Sequence, residues 1–324
     1  IYDWGNGEDT GWFPMLHRYS EPSTYTIRLT GYDDAGGTAE VEVPYEYIAP
    51  PPSDISFLLA TPDWAGLKCG DSLVVGFRAQ DSLGTPLSLA GRTVSYYSLR
   101  SDLVDARVQD STLVITAKDL PDADYGYAYL WTYVDGVEAD PQITIIVNKN
   151  PGSFVQAKRC YIGLFLPDTF FTASDISVDE FLYIGDLAYA ADLWSVHDKC
   201  PNQGNRPFFQ GISYSPQIYE ASGNPMGLGD YAIPQDGRPK FDAVFHELGR
   251  NFSGVNQLFN CIGTPGPFYV ETAGEWYVQY DFNNILSEHA SEISPLAVTV
   301  LESLRDDNRA NHLLQYQDYV NGGC

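Results

Sequence analysis

The segment FDAVFHELGRNF, from Phe241 to Phe252, constrains the fold of this chain most strongly, together with ETAGEWY, from Glu271 to Tyr277. The first segment has the pattern of an amphipathic helix, on which residues 246 and 250 lie one turn apart on the same face. Position 246 is a histidine followed by Glu247, whereas position 250 is an arginine. The chemistry of this helix therefore depends on what Arg250 does beside His246 and Glu247.

The overall composition is that of a folded, strongly acidic protein. Its 324 residues are 44% hydrophobic and 14% aromatic, which is enough for two or three domains with their own cores. The 43 acidic and 18 basic residues leave a formal net charge of -25, so phosphate repulsion argues against a nucleic-acid partner. No run approaches the roughly 18 to 20 apolar residues that span a bilayer, and we predict no membrane span. Because the chain begins at Ile1 without a signal peptide, we expect a processed or excerpted piece of a longer protein.

The cysteines are widely separated and form no CxxC pair, which argues against a zinc knuckle or a redox motif. One or two disulfides in an oxidising compartment and buried free thiols are equally consistent with the spacing. The five residues are Cys69, Cys160, Cys200, Cys261 and Cys324.

The N-terminal segment, residues 1–48, alternates as antiparallel strands do, in TYTIRLTGYDD from Thr24 and TAEVEVPYEY from Thr38. YDWGNGE at 2–8 and HRYSEPSTYTIRLTGYDDAGG at 17–37 resemble the polycystic kidney disease (PKD) repeat, an Ig-like β-sandwich of extracellular proteins. The resemblance implies a partial sandwich with further strands before Tyr2. We expect its open edge to be completed by a longer chain or by a neighbouring subunit.

The middle segment, residues 49–148, follows a proline-rich link and contains short β-rich runs between turns, which predicts a second, Ig-like β-sandwich. The aromatic strand Tyr125 to Tyr133 is consistent with core and cross-strand pairing, and also with a carbohydrate-binding face. Asp122 and Asp124 fit a solvated turn or a calcium site.

Residues 149–324 change to helical periodicity and predict an α+β domain. Ser177 and Glu180 form a predicted capping box, Ser294-Pro295 begins another helix, and residues 309–320 form a last one. The expected fold class is therefore multidomain, with two β-sandwiches (PKD/Ig-like) followed by an α+β metallopeptidase-like domain.

The metallopeptidase part of this expectation comes from residues 241–280, which resemble a gluzincin zinc peptidase of the enhancin-like kind, directed at mucins or glycoproteins. Such enzymes place imidazoles one helical turn apart to hold zinc, with a glutamate as general base. The resemblance implies His246 and Glu271 as metal ligands, Glu247 as general base and Glu275 as a carboxylate that supports the ligands.

Arg250 departs from this pattern, since a protonated guanidinium has no lone pair for zinc. At about 4 Å a unit charge facing a dication costs on the order of 8 kcal/mol at an effective dielectric constant of 20. Arg250 would instead pair with Glu247 or Glu271. Replacement ligands would have to come from the remaining histidines, and the alternative to any metal-site ancestry is an ordinary amphipathic helix with His246 packed. The histidines in question are His289, His197 and His312.

The favoured hypothesis is an extracellular or cell-surface protein whose peptidase-like domain has lost zinc catalysis, so that Glu247, His246 and Glu271 are vestigial. It would act through protein or glycan partners, or by self-assembly into a filament or surface layer, without a cofactor. The alternative is an active secreted zinc endopeptidase that acts on glycoproteins, with zinc as its cofactor.

Overall fold

In the residues that it describes, the computed structural model contains nineteen strands and five α-helices. The described residues are 2–3, 9–10, 19, 23–32, 37–47, 54–150, 152–199, 209–218, 221–222, 226–232, 234, 236–255 and 267–320.

The N-terminal sheet is antiparallel, in the order β2-β1-β3-β4, and β3 and β4 pair along their whole length. Apolar side chains recur at odd-numbered positions of β3 and β4, and those on β4 stay open to solvent: Val41, Val43 and Tyr45 are 54%, 45% and 44% exposed. Tyr19 stacks on Tyr25 and Tyr45 at ring separations of 3.9 and 5.4 Å. The apolar face of this hairpin is thus only partly covered. The strands are β1 (Tyr2–Asp3), β2 (Asp9–Thr10), β3 (Ser23–Tyr32) and β4 (Thr38–Tyr47).

Residues 54–150 form an Ig-like β-sandwich, as the alternating strands predict. One sheet has the order β10-β11-β7-β5 with β8 beside β7, and the other has the order β13-β12-β14-β6 with β9 beside β12. The buried side chains of both sheets form one apolar core. The strands are β5 (Phe57–Thr61), β6 (Trp64–Lys68), β7 (Ser72–Gln80), β8 (Pro86–Leu87), β9 (Val94–Ser98), β10 (Val104–Gln109), β11 (Thr112–Ala117), β12 (Tyr125–Val134), β13 (Val137–Glu138) and β14 (Ile143–Asn148).

The C-terminal part combines a mixed sheet with helices. The sheet order is β15-β16-β17-β19-β18, with parallel central strands and antiparallel edges. Its strands are β15 (Phe154–Lys158), β16 (Ile162–Pro167), β17 (Gln210–Tyr214), β18 (Ala221–Ser222) and β19 (Met226–Leu228). The helices are α1 (Asp168–Thr172), α2 (Val178–Lys199), α3 (Phe241–Val255), α4 (Pro267–Glu288) and α5 (Pro295–Val320), with a 3-10 turn at Asp230–Ala232.

Two serines cap helices where the sequence predicts them. Ser177 Oγ accepts the N–H of Glu180 at 3.2 Å, and Ser294 Oγ accepts the N–H of Ala297 at 3.1 Å. The Glu180 carboxylate accepts bonds from the N–H and Oγ of Ser294, at 2.6 and 3.0 Å. Glu180 therefore connects the start of α2 to the start of α5. A capping box, which is local to one helix, does not predict this contact. The prediction of a separate helix at 309–320 is wrong, because α5 is continuous from Pro295 to Val320.

The outer face of the β12 sheet packs directly on the C-terminal mixed sheet. Trp64, Tyr127, Ile146 and Phe165 form a buried cluster there. Glycines allow the close approach, since a Cβ on Gly211 would lie 2.3 Å from the Tyr127 ring. A Cβ on each of three further glycines would lie 2.3 to 2.8 Å from an aromatic ring across the same boundary. They are Gly66, Gly163 and Gly227.

Polar contacts join the same two sheets. Asn148 Nδ2 donates to Ser213 Oγ at 3.0 Å and to the Tyr214 carbonyl at 2.7 Å. Asp124, one of the two acids considered for calcium, is buried and accepts from Ser215 Oγ at 2.8 Å. Lys149 adds an ion pair to Asp124 at 3.1 Å. The sandwich and the mixed sheet are therefore held by both apolar and polar contacts.

Two remaining sequence features are the cysteines and the apolar content of the helices. Cys69 and Cys160 are free thiols, while Cys200, Cys261 and Cys324 lie outside the described residues. Within the described helices, none combines the length and the apolar content needed to cross a bilayer.

Candidate functional site

Helix α3 carries the HELGR segment and is anchored through its apolar face. Phe241, Val244, Phe245 and Leu248 recur at helical spacing and are at most 2% exposed. Phe245 packs edge-to-face on Phe282 of α4, with 5.1 Å between ring centroids. This anchoring fixes the rotation of α3 about its own axis and therefore the positions of its polar residues.

The two helices cross closely at two reciprocal glycines. A Cβ on Gly249 of α3 would lie 2.4 Å from Tyr277 Cβ, and a Cβ on Gly274 of α4 would lie 2.8 Å from His246 Cε1. His246 thus packs against the backbone of α4. Each glycine lies inside one of the two segments FDAVFHELGRNF and ETAGEWY, but the pattern of those segments does not predict its role in packing.

The helical repeat relates this crossing to the predicted ligand at position 271. Glu271 precedes Gly274 by three residues in α4, so both positions belong to the same helix face. That is the face which contacts His246. The side chains of Glu271 and Glu275 lie outside the described part of the structure.

Arg250 forms an ion pair with Glu247 on its own helix. Arg250 Nη1 lies 2.9 Å from Glu247 Oε1, and the side chains are 30% and 6% exposed. Of the two partners that the sequence left open, the structure therefore shows Glu247. Burial, and to a lesser extent the negative charge of Glu247, raises the pKa of Tyr125 on the neighbouring sandwich. Asn251, one residue further on α3, donates from Nδ2 to Gln210 Oε1 at 2.9 Å.

The donors at positions 246, 247 and 250 do not fit a zinc site. One imidazole and a guanidinium occupy the two positions where such a site needs two imidazoles. The glutamate that would act as general base is bound to that guanidinium. Among the described side chains, no group of three His, Cys, Asp or Glu residues is arranged to hold a metal ion, and this set does not include positions 271 and 275.

A replacement ligand is not found at His289. His289 follows α4 and lies 3.2 Å from Glu292. Fifteen residues separate it from Gly274, or about 22 Å of helix, so it is far from His246. The side chains of His197 and His312 lie outside the described residues.

A second group of acids lies where α2 packs on α4. Asp192 and Asp281 have no exposed surface, and within the described structure no donor reaches any of their four carboxyl oxygens. Burial first, and then the proximity of the other carboxyl group, raises the pKa of Asp281, and burial raises the pKa of Asp192. We infer that the two groups share a proton. The sequence signal was an aspartate inside the apolar AADLW run of α2, and it was overlooked.

Comparison with known proteins gives only distant similarities. No protein-family model and no curated protein sequence matches the chain. Among solved structures, domains 4 and 5 of the S-layer protein SbsC are 12% identical over 40% of this chain and 65% of that chain, with a TM-score of 0.22. The Yersinia pseudotuberculosis adhesin InvE is 26% identical over 32% of this chain and 29% of that chain, with a TM-score of 0.20. Invasin, a bacterial integrin-binding protein, is 19% identical over 45% of this chain and 32% of that chain, with a TM-score of 0.22.

These three are surface-layer and adhesin proteins, and the chain spans less than two thirds of each of them. At such TM-scores the similarity assigns no activity, substrate or partner to this chain.

Proposed function

We propose that the chain is part of an extracellular or cell-surface protein that binds or assembles through its β-modules, and that its peptidase-like domain does not carry out zinc catalysis. In this proposal residues 1–48 are a partial PKD-like module and residues 149–324 a degenerate gluzincin-like domain. The observation that carries the non-catalytic part is the 2.9 Å ion pair between Arg250 and Glu247.

The charges at positions 247 and 250 oppose zinc catalysis. A zinc site of this kind needs an imidazole one turn after His246 and a free carboxylate at Glu247. Arg250 places a fixed positive charge where that imidazole would be, and it binds the carboxylate of Glu247. The ion pair thus occupies the positions at which metal chemistry would take place, and the remaining role of the helix is structural.

The binding part of the proposal rests on the N-terminal hairpin. Within the described strands β4 pairs only with β3, so its other edge is open. The half-exposed side chains Val41, Val43 and Tyr45 lie on one face of that edge strand. An open edge beside an apolar face is a template for strand addition, and we propose that a second copy or a neighbouring subunit covers it.

Light scattering across a concentration series tests the assembly. We expect concentration-dependent self-association that Val43→Asp weakens at least 10-fold. Thr26→Asp is the matched control, because it adds the same charge to the exposed polar face of β3 and should leave association unchanged. A wild-type chain that stays monomeric at about 1 mM, or equal effects of the two substitutions, would contradict assembly through this face.

Metal analysis tests the non-catalytic part separately. We expect purified protein to contain far less than one zinc per chain and to leave glycoprotein substrates intact. Stoichiometric zinc with chelator-sensitive cleavage would instead establish the alternative, a secreted zinc endopeptidase.

A further inference from the structure

The aromatic face of β12 continues beyond its contact with the mixed sheet. Odd-numbered residues from Tyr125 to Tyr133 point away from the sandwich core, whereas even-numbered ones such as Leu130 belong to that core. Tyr127 is 3% exposed because the C-terminal sheet covers it. Tyr129 and Trp131, further along the same row, remain partly exposed.

These two rings line a cleft of about 650 Å³ between the sandwich and the C-terminal part. Phe209, just before β17, also lines it, and its ring lies 5.9 Å from the Trp64 ring. Tyr97 on β9 is 45% exposed and is the strand-pairing partner of Trp131, with 6.0 Å between the two ring centroids. The aromatic surface therefore extends from β12 onto the neighbouring strand β9. A volume of this size accommodates a small ligand.

The polar side chains that line the cleft can form hydrogen bonds and are acidic or neutral. Among the described residues, no basic side chain lines the cleft. Three carboxylates and an amide line the cleft, from Asp63, Glu138, Asp140 and Gln142. Asp63 is held by Lys158, whose Nζ lies 2.5 Å from Oδ2 and 5.1 Å from the centre of the Phe209 ring. Because this lysine balances the charge of Asp63, the carboxylate is an oriented hydrogen-bond acceptor.

We propose that this cleft binds a neutral saccharide. A pyranose ring presents a flat C–H face that packs on an aromatic ring, and its hydroxyl groups donate to carboxylate and amide oxygens at the edge. The acids in the lining repel uronic, sialylated and sulfated sugars. The cleft contains no residue of β4, so saccharide binding and the proposed assembly can be tested separately.

Titration calorimetry with defined tetrasaccharides tests the proposal. The probes are neutral chitotetraose, mannotetraose and lacto-N-tetraose, with tetragalacturonate as an anionic and spermine as a cationic comparison. We expect at least one neutral sugar to bind with a micromolar to low millimolar Kd. Trp131→Ala should weaken that binding at least 10-fold, and Asp140→Ala should weaken it about 3-fold.

The matched control is Trp194→Ala, which removes a 66% exposed tryptophan from α2, outside the cleft, and should change the Kd less than 2-fold. Asp140 is an exposed residue of the cleft lining, so its variant tests the cleft even where Trp131→Ala does not fold. Binding of tetragalacturonate or spermine without any neutral sugar would overturn the proposal. So would the absence of all binding, or neutral-sugar binding that both cleft variants leave unchanged.

Discussion

Arg250 donates from Nη1 to Glu247 Oε1 across 2.9 Å, and the carboxylate that receives this bond is only 6% exposed. Arg250 lies one helical turn after His246 on α3, and Glu247 follows His246 directly. Because the Glu247 carboxylate is almost buried, its ion pair with Arg250 contributes to the stability of the fold. Replacing Arg250 should therefore change both the affinity for zinc and the stability.

Arg250→His should create zinc affinity if position 271 contributes its carboxylate. The substitution removes the cation that binds Glu247 and adds a second imidazole on the face of His246. We expect one zinc per chain with a Kd in the micromolar range or tighter, measured by calorimetry and elemental analysis. His246→Ala in the Arg250→His background is the control and should abolish the binding. An Arg250→His variant that folds and does not bind zinc would favour an ordinary helix without metal-site ancestry.

Arg250→Met should destabilise the fold by about 2 kcal/mol, since the almost buried Glu247 loses its arginine partner. The measurement is urea denaturation at neutral pH. In the double variant with Glu247→Gln we expect most of the loss to be recovered, because no charge then remains. Equal stability of Arg250→Met and the wild type would show that the pair contributes nothing measurable.

The buried acids Asp192 and Asp281 should make stability fall with rising pH. Their folded-state pKa values are raised above the ordinary 3.8, so the folded state holds protons that the unfolded chain releases. The stability associated with the pair is fully present below about pH 3.8 and is lost as the pH rises through the raised values. We expect Asp192→Asn to raise the free energy of unfolding at pH 8 by more than 1 kcal/mol, with a smaller gain at pH 4.

The control for this pH dependence is Asp236→Asn. The guanidinium of Arg238 lowers the pKa of the exposed Asp236, so its substitution should not reduce the loss of stability toward pH 8. Denaturation curves at several pH values supply the comparison. A wild-type stability that does not decline between pH 5 and 8 relative to Asp192→Asn would argue against a shared proton.

Gly211→Ala should separate or strain the two packed sheets. The added Cβ would lie 2.3 Å from Tyr127 Cε1, and both sides of the contact are buried, so we expect a loss of about 1–3 kcal/mol. Gly76→Ala is the matched control on an exposed sheet face, because its nearest neighbour would be 3.9 Å away. Thermal denaturation measures both. If Gly211→Ala behaves like its control, the sheets have room that the structure does not show.

Local interactions explain why much of the secondary structure was predictable. Serine caps at Ser177 and Ser294 bond to amides three residues later, and strand alternation in β3 and β12 follows from one-sided burial. The continuity of α5 through Arg309 was missed, although Leu296 to Val320 contains no glycine or proline to stop the helix. The domain limits at 48 and 148 and the roles of His246, Glu247 and Glu271 remain predictions.

The sequence by itself determined the change to helical periodicity in the last part, the Ig-like sandwich before it and the conflict between Arg250 and a zinc site. These follow from periodicity within a segment and from the chemistry of a guanidinium. Only the tertiary structure decided that Arg250 pairs with Glu247, that His246 packs on Gly274, and that Asp192 meets Asp281. Contacts between residues of different elements depend on how helices rotate and sheets pack, and a single sequence carries no direct signal of that geometry.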